Sequence, residues 1–296
     1  MNPKRNESLT RPTEFEFMPT AEWTAFNDRL QAGIVTSELK GATIEPGELV
    51  LADGRHLSVF NLAQLCHLSE RSDWGALIDR HLTTLSAHVG GVPEPFSILD
   101  LRVRLLPNDQ ADHEVLELLG ARPFAEGVVQ TLAVQLNESV RSVPTSELEE
   151  LGWDVDKCWA GAWAQTRTLA RPEEANIVDV GGAVLVHLSS EHYFCSSFVP
   201  YLDDIVDGIG EHGALVSIPV RHSLIIHPIY DDAVLAAAGA MIPITRQLNL
   251  NGPGEVSAHL YWWRDGELTW IPTYFAHDGV EFYPPPELAD LIRDLS

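Results

Sequence analysis

GALVSIP (213–219), HSLIIHPI (222–229), GPG (252–254) and SAHLYWWRDGELTWIP (257–272) follow one another in the last third of the chain. The first two are short continuous apolar runs, the pattern of strands buried on both faces of a sheet. Between them and the glycine pair lies the alanine-rich segment Asp231–Leu250, which reads as a helix bent at Pro243 and stopped by Gly252. The last stretch is a hairpin turned at Asp265-Gly266. It continues as a meander through Asp278-Gly279 to Phe282, and a closing helix, PELADLIRDL, follows the prolines. Tight turns between neighbouring strands specify an antiparallel sheet, and the order as a whole defines a core without naming a chemistry.

The same reading extends toward the N-terminus. Asn176–Val180 and Ala183–Leu188 meet at Gly181-Gly182 as a second hairpin, and Ser97–Leu106 and Val128–Leu136 alternate as strands. A helix near Ser146 carries the capping-box pair Ser146 and Glu149. Asp154 is placed to cap DKCWAGAWAQTRTL, and Ser196-Ser197 to cap a helix in SFVPYLDDIVDGI. In the first third, Trp23, Phe26 and Leu30 recur at helical spacing, and Glu48–Leu51 and His56–Val59 flank the turn dipeptide Asp53-Gly54. Two further helices, FNLAQLCHLSE and DWGALIDRHLTTLSAH, are expected to pack as a hairpin. The breaker GGVPEP (90–95) marks a boundary. The expectation is α+β: a largely antiparallel sheet with helices packed on it and an N-terminal helical hairpin. Residues 1–17 form a flexible tail, 18–95 a helical region with a β-hairpin, and 96–296 an α+β domain.

With 296 residues, 45% of them hydrophobic, the chain can bury about three quarters of its unfolded surface and needs no metal or disulfide staple. Its three cysteines, Cys66, Cys158 and Cys195, contain no CxxC pair and leave at least one thiol unpaired, which fits a reducing compartment. No apolar h-region follows Lys4 and Arg5, and no run long enough to span a membrane occurs, so a cytoplasmic protein is expected.

Forty-three acids against nineteen Lys plus Arg give a formal charge of -24, which argues against nucleic acid as a partner. The acids gather between Thr145 and Glu211, where thirteen face only Lys157, Arg167 and Arg171. On one face they would speed encounter with a cationic partner. Glu147, Glu149, Glu150, Asp154, Asp203, Asp204, Asp207 and Glu211 are the expected partner-binding residues. Trp262 of Tyr261-Trp262-Trp263 is the expected aromatic anchor, because alternation on a strand puts it opposite its two neighbours.

No catalytic signature competes with this reading. HExxH, CxxC and GxSxG are absent, and Gly252-Pro253-Gly254 lacks the spacing that cradles a phosphate. His222 and His227, five apart on a strand, point to opposite faces and cannot easily share one ion. Asp203-Asp204 and Asp231-Asp232 are adjacent carboxylates more simply explained by helix capping and solvation. No cofactor and no metal is implied.

LADGRHLSVFNLAQLCHLSERSDWGALIDRHL (51–82), Leu151-Gly152-Trp153 and Ile218-Pro219-Val220-Arg221 resemble segments of an uncharacterised family of bacterial cytosolic proteins common in actinobacteria. The later half is similar to the YtpQ-like family of unknown function. The resemblance implies fold and compartment and carries over no catalytic residue. The functional expectation is therefore a non-catalytic cytosolic binding protein, in an immunity-like role that neutralises a basic toxin or effector through an acidic surface. The alternatives are a hydrolase whose site is assembled from scattered residues, using His222 or His227, and a structural subunit of an assembly.

Overall fold

The computed structural model describes residues 10–39, 41–52, 54–89, 95–108, 113–136, 139–169, 171–206, 209–276 and 279–296. Contacts divide the chain into two units, Met1–Pro95 with Asn251–Pro253, and Phe96–Leu250 with Gly254–Ser296. The GGVPEP breaker and the turn residues Asp53 and Asp278 fall wholly or largely outside the described residues.

The first unit contains α1 (Thr20–Thr36), β1 (Thr43–Glu45), β2 (Glu48–Val50), β3 (His56–Ser58), α2 (Phe60–Leu68) and α3 (Trp74–Val89). The strands pair antiparallel in sequence order. Trp23, Phe26 and Leu30 of α1, Cys66 of α2, and Trp74, Ile78 and Leu82 of α3 close one core, joined by Leu49 of β2. Helical spacing put these side chains on one stripe of each helix, and all three stripes share that core. The expected pair α2 and α3 is thus part of a three-helix arrangement.

The second unit is α+β and every strand pairing in it is antiparallel. Its elements begin with β4 (Leu101–Pro107), α4 (His113–Leu118), β5 (Arg122–Ala125), β6 (Val128–Leu136), β7 (Ser139–Ser142), α5 (Thr145–Glu150) and α6 (Val155–Leu169). Next come β8 (Glu174–Val180), β9 (Ala183–Ser189), a 3-10 helix Cys195–Asp204, β10 (Ala214–Val220), β11 (Ser223–Pro228) and α7 (Val234–Asn251). The chain ends with β12 (Leu260–Arg264), β13 (Glu267–Ile271), β14 (Thr273–Ala276), β15 (Gly279–Phe282) and α8 (Pro286–Leu295).

One sheet runs β13-β12-β10-β11-β9-β8, and a second runs β4-β6-β5 with β7 also on β6. On one face of the large sheet, Val216, Ile218, Leu224, Ile226, Tyr261 and Trp263 pack with Leu101, Val103 and Leu105 of β4 and with Cys158, Trp159 and Ala162 of α6. On the other face, Leu215, Ile225, Leu260 and Trp262 pack against Val234, Ala238 and Met241 of α7 and Leu288 of α8. Cover on both faces is why β10 and β11 are buried at every step and apolar at most of them. The Asp265-Gly266 turn has both residues at positive φ, 51° and 85°, the backbone that a two-residue hairpin demands.

Several local expectations are corrected. Ser97 caps a 3-10 turn, Ile98–Asp100, through a reciprocal bond with Asp100, so the strand begins only at Leu101. Pro144 occupies the N-cap of α5, and the Ser146–Glu149 capping box does not form. Ser196 and Ser197 lie inside the Cys195–Asp204 helix, which is 3-10 and kinked at Tyr201 after Pro200. The C-terminal meander splits at Pro272, which lacks a ladder N–H, so that β14 and β15 make a sheet of their own.

Candidate functional site

The expected acidic residues are placed at the two ends of α6. Asp154 Oδ1 accepts the Lys157 backbone N–H at 3.1 Å, which caps the helix and holds the Asp154 carboxyl below the usual range. Glu147 takes both Nη1 and Nη2 of Arg141, at 2.6 and 3.0 Å, while the Arg141 guanidinium lies 5.2 Å from the Phe96 ring centre. Glu149 and Glu150 are exposed beside it. Asp204 lies at the far end, where Arg167 in the last turn of α6 donates to it twice at 2.7 Å and keeps it ionised.

Thirteen helical steps separate Asp154 from Arg167, about 20 Å. That exceeds the screening length of roughly 8 Å at physiological salt. The two groups therefore act as separate fields, with Glu147, Asp154 and Asp204 already engaged by cations or backbone. Asp203 and Glu211 are exposed, and Asp207 lies outside the described residues.

Trp262 is a correction. It is 5% exposed, packed among the α7 side chains, and its indole N–H donates to the His212 carbonyl at 2.9 Å. Alternation sends Tyr261 and Trp263 into one core and Trp262 into the other. Since both sides of the sheet are covered, none of the three aromatics reaches the surface to anchor a partner.

An exposed apolar surface occurs elsewhere, on a segment that composition alone did not single out. β8 is the outer strand of the six-stranded sheet, and among the described residues nothing pairs its free edge. Ile177 is 75% exposed, Val178 is 47% exposed on the opposite side, and Val184 of the adjacent β9 is also 47% exposed. Glu174 and Asp179 are exposed along the same strand, and Glu173 just before it. Arg171, just before it, donates to the Asp204 carbonyl at 3.4 Å, which ties the start of β8 to the acidic end of the 3-10 helix. The EANIVDV pattern gave a strand but not its position at an edge, because strand order is set by long-range pairing.

His187, His222 and His227 each make a structural hydrogen bond. His227 is buried with Nδ1 2.8 Å from the Val184 carbonyl. His222 accepts from Arg221 Nε at 2.9 Å through Nε2, so its Nδ1–H donates to the Ser190 carbonyl at 3.1 Å. Burial, then the Arg221 charge, pushes its pKa down to about 4, and the ring is a neutral spacer with both nitrogens occupied. His187 Nε2 lies 2.8 Å from Ser223 Oγ, with its pKa lowered by burial. A neutral imidazole there can accept the hydroxyl proton, but no third group bonds its Nδ1 among the described residues.

Cys66, Cys158 and Cys195 are buried, unpaired thiols, and burial pushes Cys66 and Cys195 up to about 12, so neither is a thiolate at neutral pH. Among the described residues no group of three His, Cys, Asp or Glu could hold a metal ion. No helix among them is long and apolar enough to cross a membrane. No protein-family model, no curated protein and no solved structure matches this chain.

Proposed function

We propose that the chain is a non-catalytic cytosolic binding protein that captures an extended, cationic protein segment along β8. The observation that supports the reading most is the open edge of β8, flanked by Ile177, Val178 and Val184. An edge strand offers a row of free backbone donors and acceptors to an added strand, and alternate side chains on its two faces supply specificity. Glu173, Glu174 and Asp179 would face Lys or Arg on the added strand, and the net charge of -24 would steer a basic protein toward it. Neutralisation of a basic toxin or effector, in an immunity-like role, is the biological form of that reading.

A short peptide alternating Lys and Val should bind, and its Glu–Val counterpart should not. Ile177→Lys, which places a cation at the centre of the edge, should abolish binding without unfolding the protein. Binding should also weaken several-fold as salt rises from 50 to 300 mM. Equal binding of both peptides, or binding unaffected by Ile177→Lys, would overturn the proposal. The His187–Ser223 contact supports a second reading, a serine hydrolase. It predicts covalent labelling of Ser223 by a serine-directed phosphonate, and a protein that stays unlabelled after prolonged exposure would exclude it.

A further inference from the structure

In the second unit, the turn between β5 and β6, the last turns of α7 and the segment that leads from α7 into β12 enclose a cleft of about 350 Å³. Ligand sites in proteins occupy about 300–1,000 Å³, so the cleft has room for one small metabolite. Bonds between segments far apart in sequence fix its walls. Tyr261 of β12 donates its one hydroxyl hydrogen to the Glu126 carbonyl in the β5–β6 turn at 2.7 Å. Ser257 Oγ, 2.7 Å from the Tyr261 oxygen, is therefore the donor of that second bond, and it accepts the His259 backbone N–H at 3.1 Å. The His259 imidazole lies against Gly127, where a Cβ would come within 2.9 Å of its Cδ2, and the Trp270 ring centre is 5.5 Å away. Gly127 has φ 74°, so conformation and space both exclude a side chain there.

A second wall is built around the Pro219 carbonyl, near the end of β10. It accepts twice, from Asn249 Nδ2 at 2.9 Å and from the Val256 backbone N–H at 3.1 Å. Two donors on one oxygen bring the Asn249 side chain beside the Glu255–Val256 peptide, and the bridge between Val220 and Glu255 extends the same register. Arg246 precedes Asn249 by three residues on α7, the spacing that puts two helical side chains on one face. Arg246, Asn249, Glu255 and His259 all line the cleft.

Asn249 is 7% exposed, and its amide is half used. Nδ2 is held by Pro219, while Oδ1 meets no donor among the described residues and is not sealed from solvent. Oδ1 is therefore the atom that Asn249 presents to the cleft. Buried polar side chains ordinarily have their partners, and an acceptor left open at the wall of a cleft calls for a donor from a ligand. The cleft thus sets a guanidinium one helical turn from two acceptors, Asn249 Oδ1 and the Glu255 carboxylate. Pro107, Leu250, Val256 and Ala258 supply apolar lining.

We infer that this cleft binds a free α-amino acid with an apolar side chain. The fork of Arg246 takes a carboxylate through two parallel N–H bonds. An ammonium group has three N–H donors and no acceptor, and Glu255 with Asn249 Oδ1 offers it a charge and a neutral oxygen side by side. A ligand with a carboxylate alone uses one half of this set, and one with an ammonium alone the other. An α-amino acid carries both on one carbon, and its side chain meets the apolar lining. No residue of the cleft belongs to β8 or β9, so the site is independent of the peptide edge.

Calorimetric titration of the full chain with L-leucine, L-valine and L-phenylalanine tests this, with the thermal midpoint as a second readout. At least one of the three should bind and raise the midpoint. The carboxamide of that amino acid, which lacks the carboxylate, and its deaminated acid, which lacks the ammonium, should each bind at least about tenfold more weakly. Arg246→Gln, at an exposed position, should melt as the natural chain does. It should lose about tenfold in affinity for the amino acid and keep its affinity for the carboxamide. Glu255→Gln should weaken the amino acid comparably and leave the deaminated acid unchanged, which covers the case in which Arg246→Gln does not fold. Ile177→Lys should leave amino-acid binding unchanged. The inference fails if none of the three amino acids binds, if the carboxamide and the deaminated acid bind as tightly as the amino acid, or if the folded Arg246→Gln and Glu255→Gln variants bind it as the natural chain does.

Discussion

The hairpins β10–β11 and β8–β9 belong to one sheet and are built alike, each from two antiparallel strands joined by a short turn. Every residue of β10 and β11 is buried, whereas six of the seven residues of β8 are exposed. Ile226 contributes to the core shared with β4 and α6, while Ile177 stands three quarters in solvent. The same side chain in the same kind of strand thus serves stability in one hairpin and remains available to a partner in the other. What separates them is cover: β10 and β11 have a layer of structure on both faces and a strand on each side.

The sharpest way to break this contrast is a pair of identical truncations. Ile226→Ala should cost about 2–5 kcal/mol, by lost transfer free energy plus a cavity that packed neighbours cannot fill. Ile177→Ala should stay within about 0.5 kcal/mol, as surface substitutions do. Urea denaturation of both variants measures the difference, and similar losses would mean that β8 is covered in solution.

The turn at the end of β10–β11 gives the next largest effect, and it depends on pH. The folded-state pKa of His222, about 4, lies below its unfolded value of 6.5, so the native state binds fewer protons in that interval. Its stabilising contribution is present above pH 6.5 and is lost as pH falls toward 4, on the order of 3 kcal/mol in all. His187 and His192 shift in the same direction. His222→Gln should flatten the decline in urea midpoint between pH 7 and 4.5 relative to the natural chain, since the remaining groups titrate in both. A smaller effect comes from the seam between β10 and α7, where Thr245 Oγ1 donates to Ser217 Oγ at 2.7 Å with both side chains buried. Thr245→Val leaves the Ser217 hydroxyl without that partner and should cost about 1–3 kcal/mol by the same measurement.

Much of the second unit was legible because its local signals agree. The apolar runs 214–218 and 223–226, the glycine pair at 181–182, the Asp265-Gly266 turn and the Asp154 cap each carry a residue whose backbone or side-chain chemistry leaves few alternatives. Reading failed where two local rules competed. Pro144 preceded Ser146 and took the cap, and Pro272 interrupted a meander that alternation alone would have continued. For the site, the acids were visible as composition, but their division between the two ends of α6 was not, since it depends on how far a helix carries its termini apart.

The sequence by itself determined most of the strands and helices, that the sheet is antiparallel, and that the molecule carries a large excess of negative charge. Periodicity, turn chemistry and residue counts act over a few positions or over the whole chain, and both are written in the order of residues. Only the tertiary structure decided that Trp262 is core and that β8 is an edge. Those outcomes follow from which strand lies beside which and what covers each face, and such long-range pairings leave no local pattern to read.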